Sequence, residues 1–478
     1  MPPKCKKYKL YYRRNRFLLQ IVFANKRLYS LKYKKSACKQ RKYEKGTRNS
    51  YVMKKKKGVF AMAKKLNLAV SGILIGAMTA GLGVTAFAEE QITLTYATWN
   101  ENQRDSIQAT IDGFEAEYPN IHVEIQITPW AEYWTKLEAA ATSGEMPDIV
   151  TMHTNSVERY VNGGILAELE DLADYDESFS YDNYEAGITD LYTYNGIHYG
   201  VPKDKDCVVL VYNKKIFDDA GVEYPTADWT WDDLKEAAEK LTDKENGIYG
   251  FNAYNNDQEG YGSFLYANGA DFLNEDGTAS GLDTPEAIEA MEFYMELNAN
   301  CSPSKEMQAE VDAVTMFATG TVAMQPIGNW QLSYFTDNET IKDDFALAVL
   351  PATPEGNRAT VSNGLALSIP ADCENMEAAK QFVAYASSEK GMQEAASGPA
   401  IPCYNGVDAV WAEEHADLYD TQVILDSLAY GKQLRGSEKK NQWGEVMYGY
   451  VGQIFDGTMS VEDAFTQASA EMNEILAQ

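Results

Sequence analysis

Histidine is scarce in this chain: His122, His153, His198 and His415 are the whole complement, and they stand far apart. No HExxH pair and no Cys/His cluster occurs, which excludes the usual zinc spacings. Cysteine is sparse as well. Cys5 and Cys38 lie in the basic start of the chain, while Cys207, Cys301, Cys373 and Cys403 are scattered through the rest without a CxxC. No pairing can be read from such spacing. A Gly-rich phosphate loop and a GxSxG elbow are both missing, and no nucleophile–base pair stands out. Carboxylates are so abundant that no two of them mark a glycosidase pair. The expectation is a protein that is not an enzyme, with no catalytic residues, no metal and no cofactor.

Basic residues are the other shortage, but only past residue 88. Residues 89–478 hold 19 Lys/Arg against 70 Asp/Glu, a net of −51, whereas residues 1–61 hold 21 Lys/Arg and a single Glu. So acidic a body is repelled by nucleic acid and by anionic membranes, and nucleic acid is not expected as a partner. The segment 1–61 is set aside as a basic extension, disordered or part of an over-long start. Residues 62–88, "MAKKLNLAVSGILIGAMTAGLGVTAFA", open with lysines, run apolar from Leu66 to Phe87 and end in Ala86-Phe87-Ala88. That is the pattern of a signal peptide cleaved after Ala88, although the apolar run is also near membrane-spanning length.

The body alternates strand and helix patterns. "ITLTYATW" (92–99) alternates and is rich in β-branched residues, "RDSIQATIDGFEAEYP" carries Ile107, Ile111 and Phe114 at helical spacing, and "IHVEIQITP" alternates again. A helix closed by Gly144 and a short strand near Ile149 follow. This β-α-β-α-β order predicts a parallel sheet, with a ligand crevice beyond the carboxyl ends of its strands. "TWNEN" (98–102) and "MHTNSVE" (152–158) fall there. Helices are predicted after Thr230, after Thr284-Pro285 and in the last stretch, and strands at "FALAVLP" and "NGLALSIP". The chain's 478 residues suit two α/β units with crossings between them better than one continuous sheet.

"MFATGTVAMQPIGNW" (316–330) raises a sharper question. Gly320 ends a helix, a strand follows, and Gly328 frees the backbone to turn and present Trp330 at the crevice mouth. An indole face suits the apolar face of a pyranose, with nearby Asp, Asn and Glu for its hydroxyls. Packing as core is the competing reading.

From Ile92 to Leu476 the chain resembles the family 1 extracellular solute-binding proteins of ABC transporters, the sugar-binding group related to maltose-binding protein. "KLEAAATSGEMPDIV", "GIHYGVPKDKDCVVLVYNKKIFDDAG", "WTWDDLKEAAEKLT", "FATGTVAMQPIGNW", "SNGLALSIPADCENMEAAKQFVAYASSEKG" and "GPAIP" carry the resemblance in order. It implies a two-lobed α/β periplasmic-binding-protein-like fold of class II, with the ligand in a cleft between lobes joined by hinge crossovers. Lobe 1 is expected over 89–207 and 363–402, and lobe 2 over 208–362 and 403–478. Hinges are expected at Val208–Val211, at Val361–Asn363 and beyond Pro402. The function implied is capture of a mono- or oligosaccharide for permease subunits, by a monomer exported to the periplasm or the outside. A polyamine-like solute and a secreted carbohydrate-active enzyme are the alternatives. No cysteine stands at Ala88-Glu89 for lipid attachment, so a retained apolar anchor also stays open.

The resemblance nominates Trp330 for stacking, with Trp99, Asn100, His153, Asn155, Glu259, Tyr261 and Asn363 as further contacts. In the Lys203-Asp204-Lys205-Asp206-Cys207 loop, Asp204 and Asp206 are nominated, while Lys205 and Cys207 depart from the family's pattern. Trp130, Trp134, Trp229 and Trp231 are expected to pack in the interior; Trp411 and Trp443 are left open.

Overall fold

Alternating apolar residues build the first strands of the computed structural model, which describes residues 91–434 and 439–478. The basic extension, signal segment and cleavage site expected above lie outside the described residues. Strands β1 (Ile92–Thr98) and β2 (Ile121–Ile127) pair in parallel, from Ile92 opposite Ile121 to Thr98 opposite Ile127. In β2, Ile121 and Val123 are buried while His122 and Glu124 face solvent, as the period-two pattern requires. The helix Arg104–Glu117 between them buries Ile107, Ile111 and Phe114 along one stripe. Helix Trp130–Ser143 ends on Gly144 at φ 71°, a left-handed position that costs glycine little. Strand β3 (Ile149–Met152) is buried throughout and joins β1 in parallel.

Eight further strands complete two sheets: β4 (Val201–Pro202), β5 (Asp204–Asn213), β6 (Met324–Gly328), β7 (Phe345–Ala348), β8 (Thr360–Asn363), β9 (Ala366–Ser368), β10 (Ile401–Pro402) and β11 (Gly431–Gln433). The first sheet runs β2-β1-β3-β9-β4, with β9 antiparallel to both of its neighbours, β3 and β4. The second runs β10-β5-β8-β11, and β6 and β7 pair with the later half of β5. Cys207 to Val211 are completely buried; the run is continuous rather than alternating because both faces of β5 are covered. Each sheet packs helices on its faces, and the result is a two-lobed α/β fold. Leu94, Ile111, Phe114, Ile149 and Phe382 belong to one core, and Leu210, Leu234, Phe264, Met291, Trp443 and Phe465 to the other. Expected caps are in place: Thr230 and Asp233 form a capping box, and Thr284 and Ser460 accept from the backbone N–H three residues on. Among the described residues no helix is long and apolar enough to cross a membrane.

The chain changes sheet three times, and not where the sequence reading set the hinges. The first change falls at Lys203, between β4 and β5, rather than at Val208–Val211. That apolar run is the centre of the second sheet, paired on both sides, and cannot serve as a joint. The second change falls at Gly364-Leu365, just past Asn363, and the third precedes Ile401 instead of following Pro402. The three crossings are tied together. Lys203 N–H donates to the Leu365 carbonyl at 2.8 Å, Cys403 N–H donates to the Lys203 carbonyl at 3.3 Å, and Leu365 N–H donates to Asp204 Oδ1 at 2.9 Å.

Candidate functional site

The carboxyl ends of β1, β2 and β3 open on a cleft of about 440 Å³ that the second sheet closes from the other side. This is the place that the parallel β-α-β order predicts. Trp99, Asn100 and Gln103 follow β1, Trp130 follows β2, and His153 and Asn155 follow β3. Opposite them stand Asp204, Lys205 and Asp206 at the start of β5, the 256–259 loop, Asn329 and Trp330 after β6, and Tyr448.

Trp99, Trp130 and His153 form an aromatic corner. The Trp99 and Trp130 rings meet at 5.0 Å and 73°, and Trp130 meets the His153 ring at 5.3 Å and 65°. His153 Nδ1 accepts the Asn155 backbone N–H at 3.1 Å and so caps helix Thr154–Asn162. An accepting Nδ1 carries no proton, which leaves the neutral ring with its proton on Nε2. Burial, reinforced by Lys440, pushes the imidazole pKa down to about 4, so His153 is uncharged at neutral pH.

Trp330 is held from behind. A Cβ built on Gly328 would lie 2.2 Å from Cη2 and Cζ2 of its indole. Gly328 has φ −72° and ψ 135°, ordinary extended backbone. The glycine is there because the ring rests on its Cα, not because the chain turns sharply, which corrects the sequence reading. Glu259 Oε1 accepts Gly328 N–H at 2.8 Å and Gln331 Nε2 at 2.6 Å, pinning the loop that carries the indole. Burial raises the Glu259 pKa, against these two hydrogen bonds. From the other lobe, Asn102 Nδ2 donates to the Trp330 carbonyl at 2.9 Å and Ser333 Oγ at 3.3 Å. The loops that carry Trp99 and Trp330 are thereby bonded directly across the cleft.

Asp204 is ion-paired with Lys203, whose Nζ also donates to Gln103 Oε1 at 3.1 Å. Asp206 Oδ1 accepts the Asn363 N–H at 3.0 Å. Burial, and next the neighbouring Asp204 carboxylate, push the Asp206 pKa up to about 8, with Glu259 adding to the rise. Lys205 is engaged away from the cleft centre, 3.0 Å from Asp408 and 3.6 Å from Glu185. Asn329 Oδ1 accepts Cys207 N–H at 3.0 Å, while its Nδ2 and the Oδ1 of Asn155 are buried with no partner among the described residues.

Of the nominated residues, Trp99, Asn100, His153, Asn155, Asp204, Asp206, Glu259 and Trp330 line the cleft. Tyr261 and Asn363 do not. Tyr261 is packed in the second core against Phe272 and Tyr294. Asn363 is fully buried in β8, opposite Asp206 in the sheet. Trp130, expected inside, is 46% exposed and forms part of the wall. Its signal was available: it follows β2 as Trp99 follows β1. Trp231 is core as expected, Trp134 packs beside Trp99 and Tyr133, and Trp229 packs partly buried on the second core. Trp411 and Trp443 are both fully buried. Asn256, Asp257 and Gln258 adjoin a nominated motif and were missed with Tyr448, which lies on a helix with no local site signature. The four cysteines of the body are free thiols, three of them buried.

The profile of the bacterial extracellular solute-binding protein family matches residues 99–393. An arabinooligosaccharide-binding protein of Halalkalibacterium halodurans is 26% identical over 308 residues, 62% of this chain and 68% of its own. A substrate-binding protein of Listeria monocytogenes, solved in complex with cycloalternan, superposes with a TM-score of 0.75 at 24% identity, over 81% of this chain and all (100%) of that one. A solute-binding protein of Thermotoga lettingae, solved with alpha-D-tagatose, superposes with a TM-score of 0.70 at 27% identity, over 80% of this chain and 100% of that one. Members of this family bind solutes and are not enzymes. With the family profile spanning most of the two-lobed body and its cleft, this chain belongs to the bacterial extracellular solute-binding proteins.

Proposed function

We propose that this chain is the extracytoplasmic receptor of an ABC importer that captures a mono- or oligosaccharide by lobe closure and hands it to permease subunits. The observation that carries the reading is one cleft with indole walls on both sides, the Trp99–Trp130 corner and Trp330, and amide and carboxyl groups between them. Sugar rings present apolar C–H faces and hydroxyl edges, and such walls match both. Asn100, Asn155, Asn329, His153 Nε2–H and Asp206 meet hydroxyls, while Asp204 and Glu259 chiefly hold the joints and the Trp330 loop. The saccharides named for the Halalkalibacterium, Listeria and Thermotoga proteins support the same class. Closure turns about Lys203, Gly364-Leu365 and the segment before Ile401, and Asn102 joins the lobes when they meet. The receptor works as a monomer, exported by residues 62–88 and cleaved after Ala88.

A polyamine is the second reading, favoured by the four carboxylates that line the cleft. A thermal-shift screen of the purified protein against saccharides and polyamines separates the two. Ligand at 100 times its Kd adds about 2.7 kcal/mol to the native state, a rise of several degrees in Tm. A rise with saccharides supports the receptor reading, and a rise with polyamines alone overturns the sugar assignment.

A further inference from the structure

The charges around the cleft do not balance. Asp204, Asp206, Asp257 and Glu259 line it, and Lys205 is the one Lys or Arg among the described lining residues. Lys205 is already engaged by Asp408 and Glu185. Asp204 has Lys203 and the Leu365 N–H. Asp257 accepts from Tyr448 Oη at 2.7 Å and has Lys440 Nζ at 3.9 Å. That leaves Asp206 and Glu259. Their bonded partners are two backbone amides and the Gln331 side-chain amide, and no cationic group lies within 4 Å of either among the described residues. Glu259 adds to the rise of the Asp206 pKa and Lys203 works against it; Glu259 binds the N–H of Gly328, which pairs with Val208, two residues along β5 from Asp206.

We infer that the saccharide received here is an aminodeoxy sugar, whose ammonium group sits against Asp206 and Glu259 while its ring faces the indoles. The inference rests on the saccharide reading above. Burial without an ion pair penalises the ionised form of both acids, and hydroxyl donors satisfy their lone pairs without supplying a countercharge. An ammonium supplies three donors and a positive charge together. Burial, and next Asp204, raise the Asp206 pKa to about 8, so the acid is largely protonated at pH 7 and gives up its proton when an ammonium pairs with it. A sugar acid has no complement among the described residues, where His153 is neutral and no arginine lines the walls. An independent sign of a polar ligand is Asn329, whose side chain is 1% exposed and lines the cleft with an unpartnered Nδ2. That donor suits a hydroxyl or ring oxygen of the same sugar. The net −51 of the body also raises the local concentration of cations.

The test is titration calorimetry at pH 7 on the full chain. The probes are glucosamine and its β-1,4 disaccharide, the N-acetylated counterparts, glucose and cellobiose, and spermidine. The amine form is expected to bind about tenfold or more tighter than its N-acetyl counterpart. In Asp206→Asn and in Glu259→Gln, each checked for an intact fold by circular dichroism, that ratio falls toward one. N-acetylated or neutral sugars binding as tightly as the amines, or amines failing to bind, overturns the inference and leaves the saccharide reading standing if any neutral sugar binds. Binding of spermidine with no saccharide of either kind overturns the saccharide reading itself. An amine preference that survives both substitutions overturns the assignment to Asp206 and Glu259.

Discussion

Replacing Gly328 with alanine removes the support of the Trp330 platform without touching the indole itself. The backbone at this position is extended, at φ −72° and ψ 135°, so alanine adopts it freely. The three atoms nearest the new Cβ all belong to the indole, Cη2 and Cζ2 at 2.2 Å and Cε2 at 2.4 Å. Carbon contacts are comfortable only near 3.5–4.0 Å, so the ring must shift by more than an ångström. The strand hydrogen bonds and the Gly328 N–H bond to Glu259 survive. Stability should therefore change by less than about 1 kcal/mol, since Gly→Ala at a compatible φ/ψ is mildly favourable. Affinity should fall by about 1–3 kcal/mol, the worth of an aromatic stacking face with its buried area. The assay is titration calorimetry with the saccharide that gives the largest thermal shift, on wild type, Gly328→Ala, Trp330→Ala and the double variant. The double variant should bind no more weakly than Trp330→Ala, because both changes remove one interaction. If Gly328→Ala costs as much without the indole as with it, the effect comes from the strand and the platform argument is wrong.

Asp206→Asn should raise the Tm of the ligand-free protein at pH 7–8. The native pKa of about 8 lies above the unfolded value near 3.9, so this acid's favourable contribution is full below about pH 4 and is lost as pH rises to 8. The variant should flatten that slope in urea unfolding measured from pH 4 to 9, and an unchanged slope refutes the assignment. His153 runs the opposite way. Its pKa of about 4 lies below the unfolded value near 6.5, so its contribution is full above pH 6.5 and is lost as pH falls through 4. His153→Asn keeps a capping acceptor that does not titrate and should reduce the acid loss between pH 6.5 and 4. Trp130→Ala should weaken ligand binding by about 1–2 kcal/mol with little change in stability, whereas Trp231→Ala, a core deletion, should cost about 3–5 kcal/mol of stability. Equal stability losses in the two variants would place Trp130 in the core after all.

Much of the first lobe was legible because its signals are local. Alternation marks β1 and β2, the Ile107, Ile111 and Phe114 stripe marks the helix between them, and Gly144 marks where the next helix stops. Their order implies a parallel sheet, and the sheet implies where its crevice lies. Trp99, His153 and Asn155 could therefore be placed from the sequence. Residues brought to the cleft by packing between lobes carried no such mark. Tyr448 comes from a helix more than a hundred residues past the Trp330 loop, and its local pattern states only that one face is apolar. Tyr261 and Asn363 sit beside true wall residues in the sequence. Asn363 stands opposite Asp206 in the sheet and on the same face, but it is fully buried, its Oδ1 accepting from Thr154 Oγ1 at 3.5 Å. The apolar run from Val208 to Val211 suited a buried hinge as well as a buried strand, and only its pairing with β6 and β7 decided for the strand.

The charge split and the two-unit α/β organisation were determined by the sequence itself, because composition, periodicity and strand order are properties of consecutive residues; the role of Trp330 as a wall residue came only with the family resemblance that its motif carries. The tertiary structure decided the hinge points, the exposure of Trp130 and the use of Gly328 as a seat for an indole. It also decided which carboxylates form ion pairs: Asp204 pairs with Lys203, whereas Asp206 and Glu259 have no ion pair among the described residues. Those outcomes depend on distances between groups far apart in the chain, and such distances exist only once the two sheets face each other across the cleft.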